Sequence, residues 1–205
     1  MTSRNDVSDA SIPPVTTAGV EANARITGTF GAVIFVLLFV EGITVLRVRS
    51  LMSVHAFVGM LLVPFVIVKL VSTGYRFVQY YGGDPTYRDK GPPAMLLRVL
   101  GPVVVATTVA LFATGIGAIL APGRPGWLVR AHKASFVLWF GAMTIHVLGH
   151  ALETPALAIA DLRRSKRLKV PGATTRIAVL VVTFAIAIVF GVVSIGWAHH
   201  WQHRF

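Results

Sequence analysis

Three histidines share one apolar stretch, Ala131 to Leu152, "AHKASFVLWFGAMTIHVLGHAL". Imidazole ligates metals and moves protons near neutral pH, so its presence in an apolar run is the first chemical clue. His132 and His146 are 14 positions apart. On a helix that interval returns to within roughly 40° of the starting direction and climbs roughly 21 Å. The two rings therefore face one way at two depths, and His150, one turn beyond His146, points to nearly the same side. A second stretch, Leu51 to about Thr73, carries His55 and, after the same interval, Lys69. In a membrane helix a polar stripe of this kind faces the bundle and is a functional-site hypothesis by default.

The elements that must position these residues are membrane spans. Of the 205 residues, 55% are hydrophobic and 13% charged, and the mean hydropathy is +0.72, values too apolar for an ordinary soluble domain. The pattern predicts an all-α membrane protein with five transmembrane helices at about 26–46, 51–73, 95–120, 131–152 and 177–198. The first four, within 26–152, form a four-helix bundle, and the fifth is peripheral because no ionisable residue interrupts it. Residues 1–25 read as a disordered polar tail without a cleavage signature. The four-residue linker "RVRS" forces an antiparallel hairpin. Residues 74–94 read as an interfacial loop with a Gly-Gly-Asp-Pro turn, an aromatic belt that could also dock a quinone or a protein. Residues 153–176 form a basic loop. Residues 177–205 hold the last span and the tail "WAHHWQHRF", an interfacial anchor or an external metal- or haem-loading segment.

The formal charge of +11, from 19 basic and 8 acidic residues, sits in loops beside the spans, so lipid head groups and orientation account for it without nucleic acid. Twelve Lys and Arg fall on the side of the N-terminal tail and six on the other, with Lys69 inside a span. This predicts a multi-pass protein of the plasma (inner) membrane with a cytoplasmic N-terminus and an external C-terminus. The absence of cysteine excludes disulfides, thiolate ligands, iron–sulfur clusters and thioether-linked haem.

In this topology the second and fourth spans run the same way, and His55 and His132 both begin them near the outer face. Two neutral imidazoles on facing helices are the axial ligand set of a six-coordinate b-type haem. Gly59, one turn below His55, would leave room for a flat ring. The glycines of the other two spans repeat the 14-residue interval: Gly28 and Gly42 in the first, Gly101 and Gly115 in the third. Gly42 and Gly115 are expected near the outer histidine pair, Gly28 and Gly101 near Lys69 and His146. Helix packing is the plain alternative for each glycine, and contact with head groups or water is the alternative for His55 and His132. Arg47, Arg49, Arg130 and Lys133 would meet haem propionates or are ordinary flanking charges.

With these residues the chain resembles the transmembrane four-helix unit of the cytochrome b superfamily, which includes ferric-reductase-like and quinol-oxidising membrane cytochromes, over about residues 26–152. The resemblance implies two haems, each held by histidines of two helices, with paired glycines making space. His55, His132 and His146 match that ligand pattern, and Gly28, Gly42, Gly101 and Gly115 match the glycines. The fourth ligand position is Lys69, so one haem b is expected at the outer level and a second depends on Lys69. The wording "STGYRFVQYYGGDP", "KGPP" and "HKASFVLWFGAMTIHVLGH" also resembles a group of small bacterial membrane proteins.

Lys69 has three readings: an amine ligand opposite His146, a partner for an acid such as Glu41, or a side chain snorkelling to the nearby cytoplasmic interface. Glu41 lies near the opposite face, which disfavours the pair. His146 and His150 have the i, i+4 spacing of a metal pair, with Glu153 the nearest acid. No hydrolytic triad, phosphate loop or flavin domain is evident. The expected function is therefore a b-type cytochrome, the membrane electron-transfer component of an oxidoreductase, whose partner is a quinone, a small molecule or another protein. The alternative is a cofactor-free transporter, channel component or assembly partner with a polar pathway along Lys69, His146 and His150.

Overall fold

The computed structural model describes residues 17–89, 91, 95–123, 125–150, 154–161, 163 and 170–202. Among them every regular element is an α-helix: α1 (Thr17–Leu46), α2 (Met52–Gly82), α3 (Pro85–Asp89), α4 (Met95–Leu120), α5 (Gly126–His150), α6 (Thr154–Ala158) and α7 (Ala173–Gln202). Four segments, Thr17–Leu46, Met52–Gly82, Met95–Leu120 and Ala173–His199, are long and apolar enough to cross a membrane. The expectation of five such spans is thus met by four. The histidine helix α5 has 25 residues, roughly 37 Å at the helical rise, but its histidines, Arg130 and Lys133 make it too polar for that set.

Several boundaries differ from the sequence expectation, α5 beginning at Gly126 where 131 was expected and α7 at Ala173 where 177 was. Residues 17–25 are not tail but the first turns of α1, while residues 1–16 lie outside the described part. Residues 74–82 are not loop, because α2 runs on to Gly82. Nothing from Tyr75 to Tyr81 is Gly or Pro, so the helix has no reason to stop. It ends at Gly83, which adopts φ 98° and returns its N–H to the Gln79 carbonyl, a conformation that costs glycine little. Of the expected basic loop, the described residues include α6, which lies along α1, and the start of α7.

The packing follows from small and aromatic residues meeting. Phe30 and Ile34 of α1, Leu61, Leu62 and Phe65 of α2, and Ala187 of α7 form the main buried cluster. Phe65 stands 5.8 Å from Phe30 and 5.7 Å from Phe184, centroid to centroid. The last helix is therefore not a satellite of a four-helix core, which corrects the sequence expectation. Thr183, Ala187, Gly191, Ser194 and Ala198 are all buried and recur at three- and four-residue intervals, a small-residue face that admits α2 closely. A Cβ on Gly191 would stand 2.7 Å from the Phe57 ring. On the other side α4 and α5 pair antiparallel along their lengths, from Leu97 beside Gly149 to Leu128 beside Gly117, with the Trp139 indole N–H donating to Thr108 Oγ1 at 3.0 Å. This hairpin meets the α1–α2–α7 layer at few points, among them Phe112 on the main cluster.

One end of the molecule is held by charge. Asp161 accepts from Arg25 Nη1 at 2.9 Å and from Arg176 Nη2 at 2.6 Å and Nε, all three residues being buried. The bidentate fork of Arg176 ties the start of α7 to the start of α1. Leu157 of α6 sits over Gly28, where a Cβ would be 2.5 Å from its own Cβ.

Candidate functional site

At the other end the short Arg47–Ser50 turn, closed by Ser50 and Leu51 N–H groups donating to the Arg47 carbonyl, places the end of α1 beside the start of α2. His55, in the first turn of α2, is thereby brought against Glu41 and Thr44 of α1. Its Nδ1 lies 2.9 Å from Glu41 Oε1 and 3.1 Å from Thr44 Oγ1. The Thr44 hydroxyl donates to the Glu41 carbonyl at 2.7 Å and to Glu41 Oε2 at 3.0 Å, so it steadies the carboxylate as well. His132, in the second turn of α5, has Nδ1 3.1 Å from the Leu111 carbonyl of α4 and 3.4 Å from Thr114 Oγ1.

These partners decide the tautomers. A backbone carbonyl only accepts, and a carboxylate oxygen only accepts, so each Nδ1 carries the proton and each neutral ring is left with its lone pair on Nε2. The His55 and His132 rings stand 6.3 Å apart, centroid to centroid, with 73° between their planes. A metal–imidazole bond is about 2.0–2.1 Å, so two imidazoles that held one metal between them would have ring centres roughly 6 Å apart. The fit to a bis-imidazole metal centre thus rests on spacing, on tautomer and on the second-shell bond that a ligating histidine makes through its other nitrogen. Among the described residues no group of three or more His, Cys, Asp and Glu could hold a metal ion. A metal between this pair would therefore draw its remaining donors from a ligand such as a porphyrin. Compared with protein-family models, with curated proteins and with solved structures, the chain matches none.

The glycines do varied work. A Cβ on Gly115 would stand 2.8 Å from His132 Cε1, and one on Gly59 would stand 3.3 Å from Glu41 Oε1. Both make room for protein groups of the site itself, where the sequence pointed to room for a ring. Gly42 and Gly101 have no atom within 4 Å of such a Cβ. Gly28 faces α6 and is covered by Leu157, so it does not open between α2 and α5 as a ring-accommodating glycine would.

The level of Lys69 and His146 is built differently. Lys69 Nζ donates to the Thr27 carbonyl at 3.1 Å, so its amine is turned to α1. It joins a polar seam in which Ser72 Oγ donates to Asn23 Oδ1 at 2.7 Å, Asn23 Nδ2 donates to the Ser72 carbonyl at 3.2 Å, and the Thr27 and Ser72 hydroxyls meet. Glu41 is taken by His55 at the far end, which rules out the Lys69–Glu41 pair. His146 and His150 stand 4.9 Å apart, ring to ring, and His146 Nδ1 is buried with no hydrogen-bond partner. Glu153 and His203 lie outside the described residues. Sequence reasoning missed Glu41 and Thr44 as partners of His55, although the signal was there: positions equidistant from the Arg47–Ser50 turn share a depth, and 41 and 55 nearly do.

Proposed function

We propose that this chain is an integral membrane b-type cytochrome that carries electrons within or across the membrane as a component of an oxidoreductase, with one haem b held at the outer level by His55 and His132. The observation that carries the reading is the neighbouring imidazole pair, 6.3 Å apart with 73° between the ring planes, with each Nδ1 held by an acceptor and each Nε2 free of one, as a metal ligand requires. Haem bound there supplies a one-electron iron couple. The protein's part is to hold both ligands in one tautomer and to seat His132 against Gly115. Arg47, Arg49 and Arg130, at the same end, offer cations to propionates. The hydrogen bond from Lys69 to Thr27 turns that amine away from ligation, so a single haem is the favoured stoichiometry. Electron partners are a quinone, a small molecule or a second protein.

The membrane arrangement we infer has five crossings in the plasma (inner) membrane, with the N-terminus cytoplasmic. The Arg25–Asp161–Arg176 cluster supports it, because the starts of α1 and α7 lie at one end with α1, α2, α4 and α5 between them. An even number of traverses is needed, which makes α5 the fourth. The predominance of Lys and Arg on that side favours the cytoplasm. Glycine-lined close contacts and α5's polar stripe facing the bundle fit a crossing helix that carries ligands.

The test is the visible spectrum of protein purified after haem-replete expression. A sharp low-spin b-type reduced spectrum is expected, with all haem extracted by acidified acetone because no cysteine can bind it covalently. A folded, colourless, iron-free protein would overturn the reading. The second reading, a cofactor-free pathway along Lys69, His146 and His150, draws on the unpartnered, buried His146 Nδ1, and that outcome would make it the working one.

A further inference from the structure

We propose that Glu41 is the positioning residue of the site: its carboxylate accepts a hydrogen bond from His55 Nδ1–H, fixes which ring nitrogen is left for the metal and makes His55 the stronger-donating ligand of the pair. The inference rests on the haem reading and adds an asymmetry to it. The two imidazoles do not have equivalent partners. His132 donates to a backbone carbonyl, Leu111 O at 3.1 Å, whereas His55 donates to a carboxylate oxygen at 2.9 Å. A hydrogen bond to a carboxylate is shorter and about twice as strong as one to a neutral acceptor, and it raises the basicity of the ligating nitrogen.

The carboxylate is itself seated. Thr44 donates to Glu41 Oε2 at 3.0 Å, and the side chains of Glu41 and His55 are 14% and 19% exposed, which limits competition from water. Gly59, one turn below His55, leaves the notch that Oε1 occupies, since a Cβ there would stand 3.3 Å away. Three residues on two helices thus converge on one proton. An acid in an apolar span is costly to keep without such a task. An imidazole with a more basic nitrogen stabilises ferric over ferrous iron, so the expected consequence is a lowered midpoint potential.

The experiment uses the full chain, haem-loaded and purified, titrated potentiometrically at its reduced visible band. Glu41→Gln keeps the shape and weakens the acceptor; its midpoint should move to more positive potential, and haem retention on dilution should fall roughly 10-fold. Gly59→Ala leaves Glu41 in place but crowds Oε1, and should shift the midpoint the same way by less. It also serves as the reading if Glu41→Gln loses its haem. Loss of the carboxylate charge alone also raises the midpoint in Glu41→Gln, so the hydrogen bond is read from Gly59→Ala, which keeps the charge: a wild-type midpoint there overturns the positioning role. That result, or a negative shift in either variant, leaves the cytochrome reading standing while overturning the proposal. A haem-free wild type instead overturns the cytochrome reading. The tautomer remains decidable there: ¹⁵N shifts of labelled histidine should show His55 as the Nδ1–H form in wild type and as a mixture in Glu41→Ala, and an unchanged tautomer overturns the positioning role.

Discussion

Residue by residue, the His55–His132 site depends on close contacts that leave little slack. His55→Ala and His132→Ala should each remove nearly all Soret absorbance, whereas Lys69→Ala and His146→Ala should leave most of it; equal loss from all four would mean two haems. If His55 and His132 both ligate the proposed haem, carbon monoxide should bind poorly to intact protein, and replacement of His132 should admit it, as read from the reduced-plus-CO difference spectrum. Gly115→Ala is the sharper probe. Its Cβ would stand 2.8 Å from His132 Cε1, so the ring must shift, and haem affinity should drop roughly 10-fold or more. Gly101→Ala, with open space around the added atom, should bind haem like wild type. Equal affinity in the two glycine variants would show that His132 does not need its seat.

Among the elements, the joint between α1, α7 and the segment after α5 is the one most exposed to pH. Arg176's hydrogen bonds, and then Arg25's, hold the Asp161 carboxyl below its ordinary value of 3.8. A depressed carboxyl contributes stability that is complete above the unfolded value and is lost as pH falls through the folded one. Unfolding temperature in detergent should therefore decline below about pH 3.8 in wild type, and Asp161→Asn should start lower and lose less over the same range. Asp161→Ala removes the acceptor that Arg25 and Arg176 share, leaving Arg25 with Glu21 and Arg176 with the Pro171 and Val170 carbonyls, and should cost about 1–3 kcal/mol, measured as a shift in the denaturation midpoint. At the α2–α7 contact, Gly191→Leu drives a side chain into the Phe57 ring and should destabilise by about 1–3 kcal/mol. A neutral result would mean that α7 can move off α2, as a peripheral helix would.

At the scale of the whole molecule, the charged joint at one end and the histidine pair at the other set the direction of every long helix. Reporter fusions at the two termini should report opposite sides of the membrane; both on one side would leave α5 lying along the bundle without crossing. Much of this was legible in the sequence, because a bilayer imposes one-dimensional rules. Apolar length sets the long helices, a four-residue linker forces the α1–α2 hairpin, and places in the first turns of parallel helices bring His55 and His132 to one depth. The polarity of α5 was visible too, yet hydropathy alone cannot say whether such a helix crosses. What only the tertiary structure decided were contacts between segments far apart in the chain. Glu41 turned to His55 and away from Lys69, Lys69 to Thr27, Gly28 to Leu157, and the last helix onto α2 through its small residues. Spacing along a helix fixes depth and direction, but which neighbour occupies that direction depends on packing between helices, and that is a property of the assembled bundle.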